Sequence, residues 1–230
     1  MKLLALASTV LGLATACHTP ANSELRTWGA MRSVLREGRT EGRVALDEVL
    51  RPGTYGVGAL AELRGEITVV DGVAHVSTVD ASGDRVHTRT SRAGDEATLL
   101  ALGQVTAWRE VDLPAVPDVA ALERELARLL DGRSPEPFPF RVEASTANVH
   151  LHVLDGACPI ANPTGPAPWR ATLEGVAITL VGLYAENAAG VLTHHGRVTH
   201  LHAVVESPYV SGHVDDVSWL EGARLFVPAE

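Results

Sequence analysis

The sequence predicts a sheet-rich α+β fold built in two halves, and three features predict it. Short β-branched runs broken by glycine and aspartate fill residues 55–111 and resume from 171 to 227. One strongly amphipathic helical pattern, opened by Asp118, lies between them. A faint internal echo relates ELRGEITVVDG to TLVGLYAENAAG: each has a leucine, a glycine two places on, and another glycine after a similar gap. Two related halves packed together would explain the echo, with chance similarity as the rival. At 230 residues the chain is long enough for one large domain or two small ones.

The first segment, MKLLALASTVLGLATAC, stands apart. Lys2 precedes an apolar stretch from Leu3 to Ala16 that is too short to span a membrane and suited to a secretory signal. Ala14, Thr15 and Ala16 before Cys17 resemble a lipoprotein signal, in which the cysteine becomes the lipidated mature N-terminus. Ala14 stands where leucine is usual and Leu13 is one place early, so an ordinary cleaved signal with an unmodified cysteine is the alternative. Either way the mature chain is expected outside the cytoplasm. It is then anchored to a membrane through Cys17, on the periplasmic or cell-surface side, or secreted. A lipidated Cys17 leaves Cys158 as a free thiol, so disulfides are not expected to hold the fold.

His18 to Ser23 reads as a tether. Leu25, Trp28, Met31 and Leu35 have helical spacing, and a second short helix at Val44, Leu46, Val49 and Leu50 is closed by Pro52-Gly53. EITVV and VAHVSTV flank Asp71-Gly72, a strong hairpin signal. Asp118 then caps a helix with Val119, Leu122, Leu126, Leu129 and Leu130 on one face, and Gly132 stops it. The proline-rich SPEPFPF leads into a strand ending in His150 and His152, and ACPIANPTGPAPW is a loop. The expected division is a signal over 1–17, an N-terminal half over 18–160 and a C-terminal, metal-binding half over 161–230.

Charge and motifs exclude several functions. The formal net charge is −9, Lys2 is the only lysine, and no arginine run appears, so a phosphate-tracking nucleic-acid surface is not expected. GTYGVG at 53–58 lacks the spacing of a dinucleotide fingerprint. No G-x-S-x-G elbow surrounds Ser207 or Ser211, which argues against a serine hydrolase.

The histidines carry the chemistry. In THLHAVVESPYVSGHVDD, His200 and His202 are two apart in a strand, so both imidazoles project from one face. A hairpin centred on Ser207-Pro208 places His213 opposite His202, with cross-strand β-carbons about 4.5–5.5 Å apart. Three neutral nitrogens with an open fourth position suit a catalytic zinc. His150 and His152 also share a face but have no third histidine at hairpin distance, so they read as groove or surface residues. His194 and His195, in a turn-like HHG, read as solvent-facing.

The chain resembles the α-acetolactate decarboxylase family. LDEVLRPGTYGVGALAELRGEITVVDGVAHV (46–76) is similar to that family's N-terminal signature, LVGLYAENAAG to its I-V-G-F segment, and HLHAVVESPYVSGHVDD to its zinc block. The resemblance runs in order from about residue 25 to 216. It implies a sheet-rich fold of two related halves, zinc ligands at His200, His202 and His213, and a carboxylate beside the metal at Glu66. The implied reaction takes a 2-hydroxy-2-methyl-3-oxo acid to acetoin. It needs a sink for the electron pair left by departing CO2, which zinc supplies as a Lewis acid, and a proton donor to carbon, the part Glu66 would play.

Two departures are expected to matter. The family's substrate-gripping arginine before I-V-G-F maps to Ala177, and the chain ends at Glu230, seventeen residues past His213, where the family continues to a second catalytic glutamate. Arg64, two before Glu66 and so on its strand face, could supply the positive charge instead, with Arg170 a looser candidate. Three functions stay open: a zinc-dependent acetolactate decarboxylase with altered partners, a metal enzyme acting on another small oxo- or hydroxy-acid, and a non-catalytic metal-binding lipoprotein. The expected partners are a small 2-hydroxy-3-oxo acid, no nucleic acid, a membrane only through Cys17, and a second copy if the chain forms a homodimer.

Overall fold

The computed structural model describes residues 23–130, 136–158 and 162–229. Residues 1–17, read above as a signal ending at Cys17, and Gly132 lie outside the described residues. The first sheet holds β1 (Ser23–Trp28), β2 (Val44–Ala45), β3 (Thr54–Leu60), β4 (Glu66–Val70), β5 (Val73–Val79), β6 (Val86–Thr90) and β7 (Glu96–Val105). Its order is β1-β7-β3-β4-β5-β6, with β2 on β7. The second sheet holds β8 (Trp108–Leu113), β9 (Phe138–Val153), β10 (Trp169–Tyr184), β11 (Thr199–Glu206), β12 (Tyr209–Ser218) and β13 (Ala223–Pro228). Its order is β10-β11-β12-β9-β13-β8, and β9 also pairs with β10. The sheets part between Val105 and Trp108; the sequence boundary at 160/161 falls between β9 and β10, two strands of the second sheet.

The expected hairpins form for local reasons. Asp71 and Gly72 both take positive φ, 49° and 78°, in the two-residue turn between Val70 and Val73. The Asp71 carboxylate also accepts a hydrogen bond from the Gly53 amide at 2.7 Å. Helix α1 spans Met31–Glu37, α2 Leu46–Val49 and α3 Val119–Leu130. Asp118 caps α3, accepting from the Ala121 amide at 2.7 Å, and Leu122 and Leu126 are buried under it.

Period separates the two faces of each sheet. In β4, Ile67 and Val69 pack with Leu46 and Val49 of α2, while Glu66 and Thr68 face the second sheet. In β11, Leu201, Ala203 and Val205 pack in a core with Leu122 and Leu126 of α3, so His200, His202 and Val204 face the first sheet. Between the sheets, Tyr55, Val57 and Ala101 meet Val181 and Leu183.

One expected element is different. Leu25 and Trp28 belong to a strand, β1, which pairs with β7 from Ser23↔Val105 to Trp28↔Leu100. A spacing of three, one face of a helix, puts the two on opposite faces of a strand. Leu25 packs into the inter-sheet core and Trp28 into the core beneath α2. Covering both faces, and the ladder offered by the β7 edge, outweigh the local helical pattern.

Candidate metal centre

The site lies between the sheets. β11 and β12 are joined by the two-residue turn Ser207-Pro208, and the register pairs His202 with His213 as the spacing predicts. The ring centres of His200, His202 and His213 are 5.2–5.4 Å apart. From the opposite sheet comes Glu66, 4% exposed, with its Oε2 3.6 Å from His202 Nε2. Gly65 makes this approach practicable: its φ is +152°, and a side chain there would collide with the Ser77 carbonyl.

Burial sets the protonation states. It pushes the Glu66 carboxyl well above the ordinary carboxylate range, against a hydrogen bond from the Leu154 backbone. Burial first, and then the neighbouring rings, push His200 down to about 3 and hold His202 and His213 well below the usual imidazole range. The site therefore presents neutral imidazoles, the form in which a ring nitrogen can bind a metal, beside a carboxyl whose ionisation burial opposes.

His202 supplies the test of whether a cation fits. Its Nδ1 lies 3.3 Å from Thr68 Oγ1 in the first sheet. Its Nε2 is buried and has no hydrogen-bond partner. Buried polar atoms are seldom left so. A neutral ring fixed at one nitrogen, with the other lone pair free among imidazoles, is the arrangement a metal ligand needs. Ligand atoms within 4.8 Å of one another are offered by His194, His200 and His213, and by His152, His213 and Asp215, so the cluster has room for a divalent ion.

The structure adds groups that the spacing leaves out. β12 pairs with β9 as well as β11, which sets His152 opposite His213 with ring centres 4.6 Å apart. His152 Nδ1 meets Asp215 Oδ1 at 2.8 Å, and Arg170 Nη1 donates to the other oxygen of the same carboxylate. Burial opposes ionisation of Asp215, but these two partners hold its pKa below the ordinary aspartate range. Asp215, two residues after His213 and so on the same face of the strand, is the extra residue of a β-bulge between Val214 and Asp216. His150, facing Asp216, is exposed. His194, expected at the surface, is half-buried over the cluster, and its ligand atoms, with those of His200 and His213, lie within 4.8 Å of one another.

Two arginine expectations are corrected. Arg64 is not on the strand face of Glu66: it ends a 3-10 turn (Ala61–Leu63), is exposed, and is separated from β4 by the φ of Gly65. Ala177 lines a separate hollow with Glu143, Glu206 and Arg224, so the residue type there takes nothing from the histidine site. Arg170, with Glu66, His152, His194, His200 and His213, does line the site cavity of about 390 Å³. That lies at the small end of the range of roughly 300–1,000 Å³ for small-molecule sites.

The family model for alpha-acetolactate decarboxylase matches residues 29–227, most of the chain. The chain belongs to this family. Among curated proteins none matches it. Solved structures with the same fold include alpha-acetolactate decarboxylase from Bacillus subtilis strain 168, 21% identical with a TM-score of 0.70, covering 90% of this chain and 85% of that one. A Staphylococcus aureus protein of unknown function, described as similar to alpha-acetolactate decarboxylase, is 14% identical with a TM-score of 0.71, covering 88% and 84%. At these identities the likeness shows the fold. Acetolactate decarboxylases are metal-dependent carbon–carbon lyases acting on a small molecule, and the histidine cluster gives this member a candidate place for the metal.

Proposed function

We propose that the chain decarboxylates 2-acetolactate to acetoin, with zinc as its metal and His200, His202 and His213 as ligands. The observation that carries this reading is the buried Glu66 carboxyl held 3.6 Å from the unpartnered Nε2 of His202, inside a small cavity. Decarboxylation breaks the bond from carbon to the carboxylate, leaves the electron pair on that carbon, and requires a proton to replace CO2. When bound, a divalent ion supplies the Lewis acidity that stabilises negative charge on the substrate's hydroxyl and keto oxygens. Glu66, buried beside the ligand atoms, is placed to hold the proton and deliver it to carbon.

Arg170 stands at the cavity, its side chain 58% exposed, and offers the anionic substrate a positive charge on entry. Val34, Ala59, Leu63 and Leu99 form an apolar wall that limits water around Glu66. Purified chain loaded with zinc should release acetoin and CO2 from 2-acetolactate, and chelated protein should not. Full metal occupancy with no acetoin formed would overturn the reading.

A further inference from the structure

Resting on the decarboxylase reading above, we propose that His152, Asp215 and Arg170 form a clamp for the two polar groups on C2 of a 2-hydroxy acid. Arg170 donates to the carboxylate, and His152 Nε2 accepts from the hydroxyl. Asp215 touches no substrate; it is a positioning residue that holds the other two.

Strand pairing brings the three together. His152, near the end of β9, has two cross-strand partners, Arg170 on β10 and His213 on β12. Directly paired residues share a face of the sheet, so Arg170, His152 and His213 form one row across three strands. Asp215, on the same face as His213, reaches across that row. Its Oδ1 lies 2.8 Å from His152 Nδ1, and its Oδ2 accepts from Arg170 Nη1. All three residues line the cavity that also holds Glu66, His200 and His213.

Donor and acceptor roles follow from the side-chain chemistry. A guanidinium can only donate, and the ionised carboxylate it pairs with can only accept. The proton between His152 and Asp215 therefore sits on His152 Nδ1, and in the neutral ring Nε2 keeps a lone pair for the cavity. Arg170 spends Nη1 on Asp215 and has further N–H groups in the same plane, a fork that suits a second carboxylate. One acceptor and one donor fork, tied to a single carboxylate, match a hydroxyl and a carboxylate carried by a single carbon. The His152 side chain is 15% exposed and that of Arg170 58%, so the hydroxyl is read inside the cavity and the carboxylate at its mouth. A 3-oxo acid without the hydroxyl meets Arg170 alone and leaves the His152 lone pair unpaired, which is the basis for rejecting it. None of these contacts takes a coordination position at His200, His202 and His213.

Zinc-loaded wild type, His152→Phe and Asp215→Asn are titrated calorimetrically with 2-hydroxy-2-methylpropanoate and with 2,2-dimethylpropanoate, which differ by a hydroxyl for a methyl. Each protein is also assayed for acetoin formation from 2-acetolactate. The wild type should prefer the hydroxy acid. That preference should fall by roughly tenfold in His152→Phe, the weight of one well-formed hydrogen bond, while affinity for the dimethyl acid stays. Any preference due to zinc itself is common to all three proteins. In Asp215→Asn, Arg170 claims the amide oxygen and the amide NH2 turns to His152 Nδ1. The ring proton then moves to Nε2, so the preference should fall likewise with zinc content unchanged, and this variant serves if His152→Phe fails to fold. A merely structural role would weaken both acids alike. A preference that neither variant moves, or loss of zinc from His152→Phe, overturns the clamp. A wild type with the His152-dependent preference that makes no acetoin overturns the decarboxylase reading and leaves the clamp standing.

Discussion

Replacing Gly65 by alanine should damage the fold and the site together. Gly65 has a φ of +152° and links the 3-10 turn to β4, with its carbonyl accepting from the Leu60 amide at 3.0 Å. A β-carbon there would stand 2.0 Å from the Ser77 carbonyl oxygen and 3.1 Å from its carbonyl carbon. The obstacle is backbone of the neighbouring strand, since Ser77 is the ladder partner of Glu66. Even close carbon–oxygen contacts in sheets stay at about 3.3 Å, so β4 and β5 must part by more than about 1 Å. A non-glycine residue held in such a conformation costs on the order of 1–3 kcal/mol, and each loosened ladder bond adds about 1 kcal/mol. A net loss of about 2–4 kcal/mol, at roughly 2–4 °C per kcal/mol for a chain of this size, lowers Tm by roughly 5–15 °C. Glu66 is the next residue, and a misplacement of about 1 Å costs on the order of 10²-fold in turnover. Calorimetry and an acetoin assay on the same preparation read both effects. A Gly65→Ala protein that melts with the wild type and keeps full turnover would refute the reasoning.

Elemental analysis should find most of the metal gone from His202→Ala and retained in His152→Ala, because the buried His202 Nε2 has no hydrogen-bond partner and His152 stands outside the proposed ligand set; equal loss from both would move the site. Asp95 accepts two hydrogen bonds from Arg89, at 2.7 and 2.8 Å, and one from the Arg92 amide, so Asp95→Asn should cost about 1–2 kcal/mol at pH 7 in denaturant unfolding. The Arg89 guanidinium holds the Asp95 pKa below its ordinary value of 3.8, so this contribution is complete above that value and fades as pH falls through it toward the lower folded-state pKa. An Asp95→Asn penalty that persists undiminished at pH 2 would contradict that sign. Export with lipid attachment at Cys17 is a proposal from the sequence: radioactive fatty acid should label the wild type and not Cys17→Ser, and an unlabelled wild type would remove the anchor.

What could be read from the sequence was local. His202 faces His213 because a two-residue turn and a period of two fix the register within eighteen residues. The sequence holds no comparable sign that β12 also pairs with β9, and that long-range pairing brings His152 and Asp215 to the site. His194 could not be placed from HHG either, since amides of α1 and the Glu123 carboxylate decide where its loop lies. Glu66 was legible only through the family resemblance, its burial depending on the opposite sheet. Arg64 was misplaced because a spacing of two implies one strand face only when the residue between is extended, and Gly65 is not.

The account turns on Glu66 as the proton donor beside the metal. Its most direct measurement compares wild type and Glu66→Gln for acetoin formation from 2-acetolactate at matched zinc occupancy. The glutamine keeps the shape and the buried hydrogen-bonding capacity but has no acidic proton to deliver. The account predicts unchanged metal content and melting behaviour, with turnover depressed by at least roughly 10²–10⁴-fold. Equal turnover by the two proteins at equal zinc would contradict it.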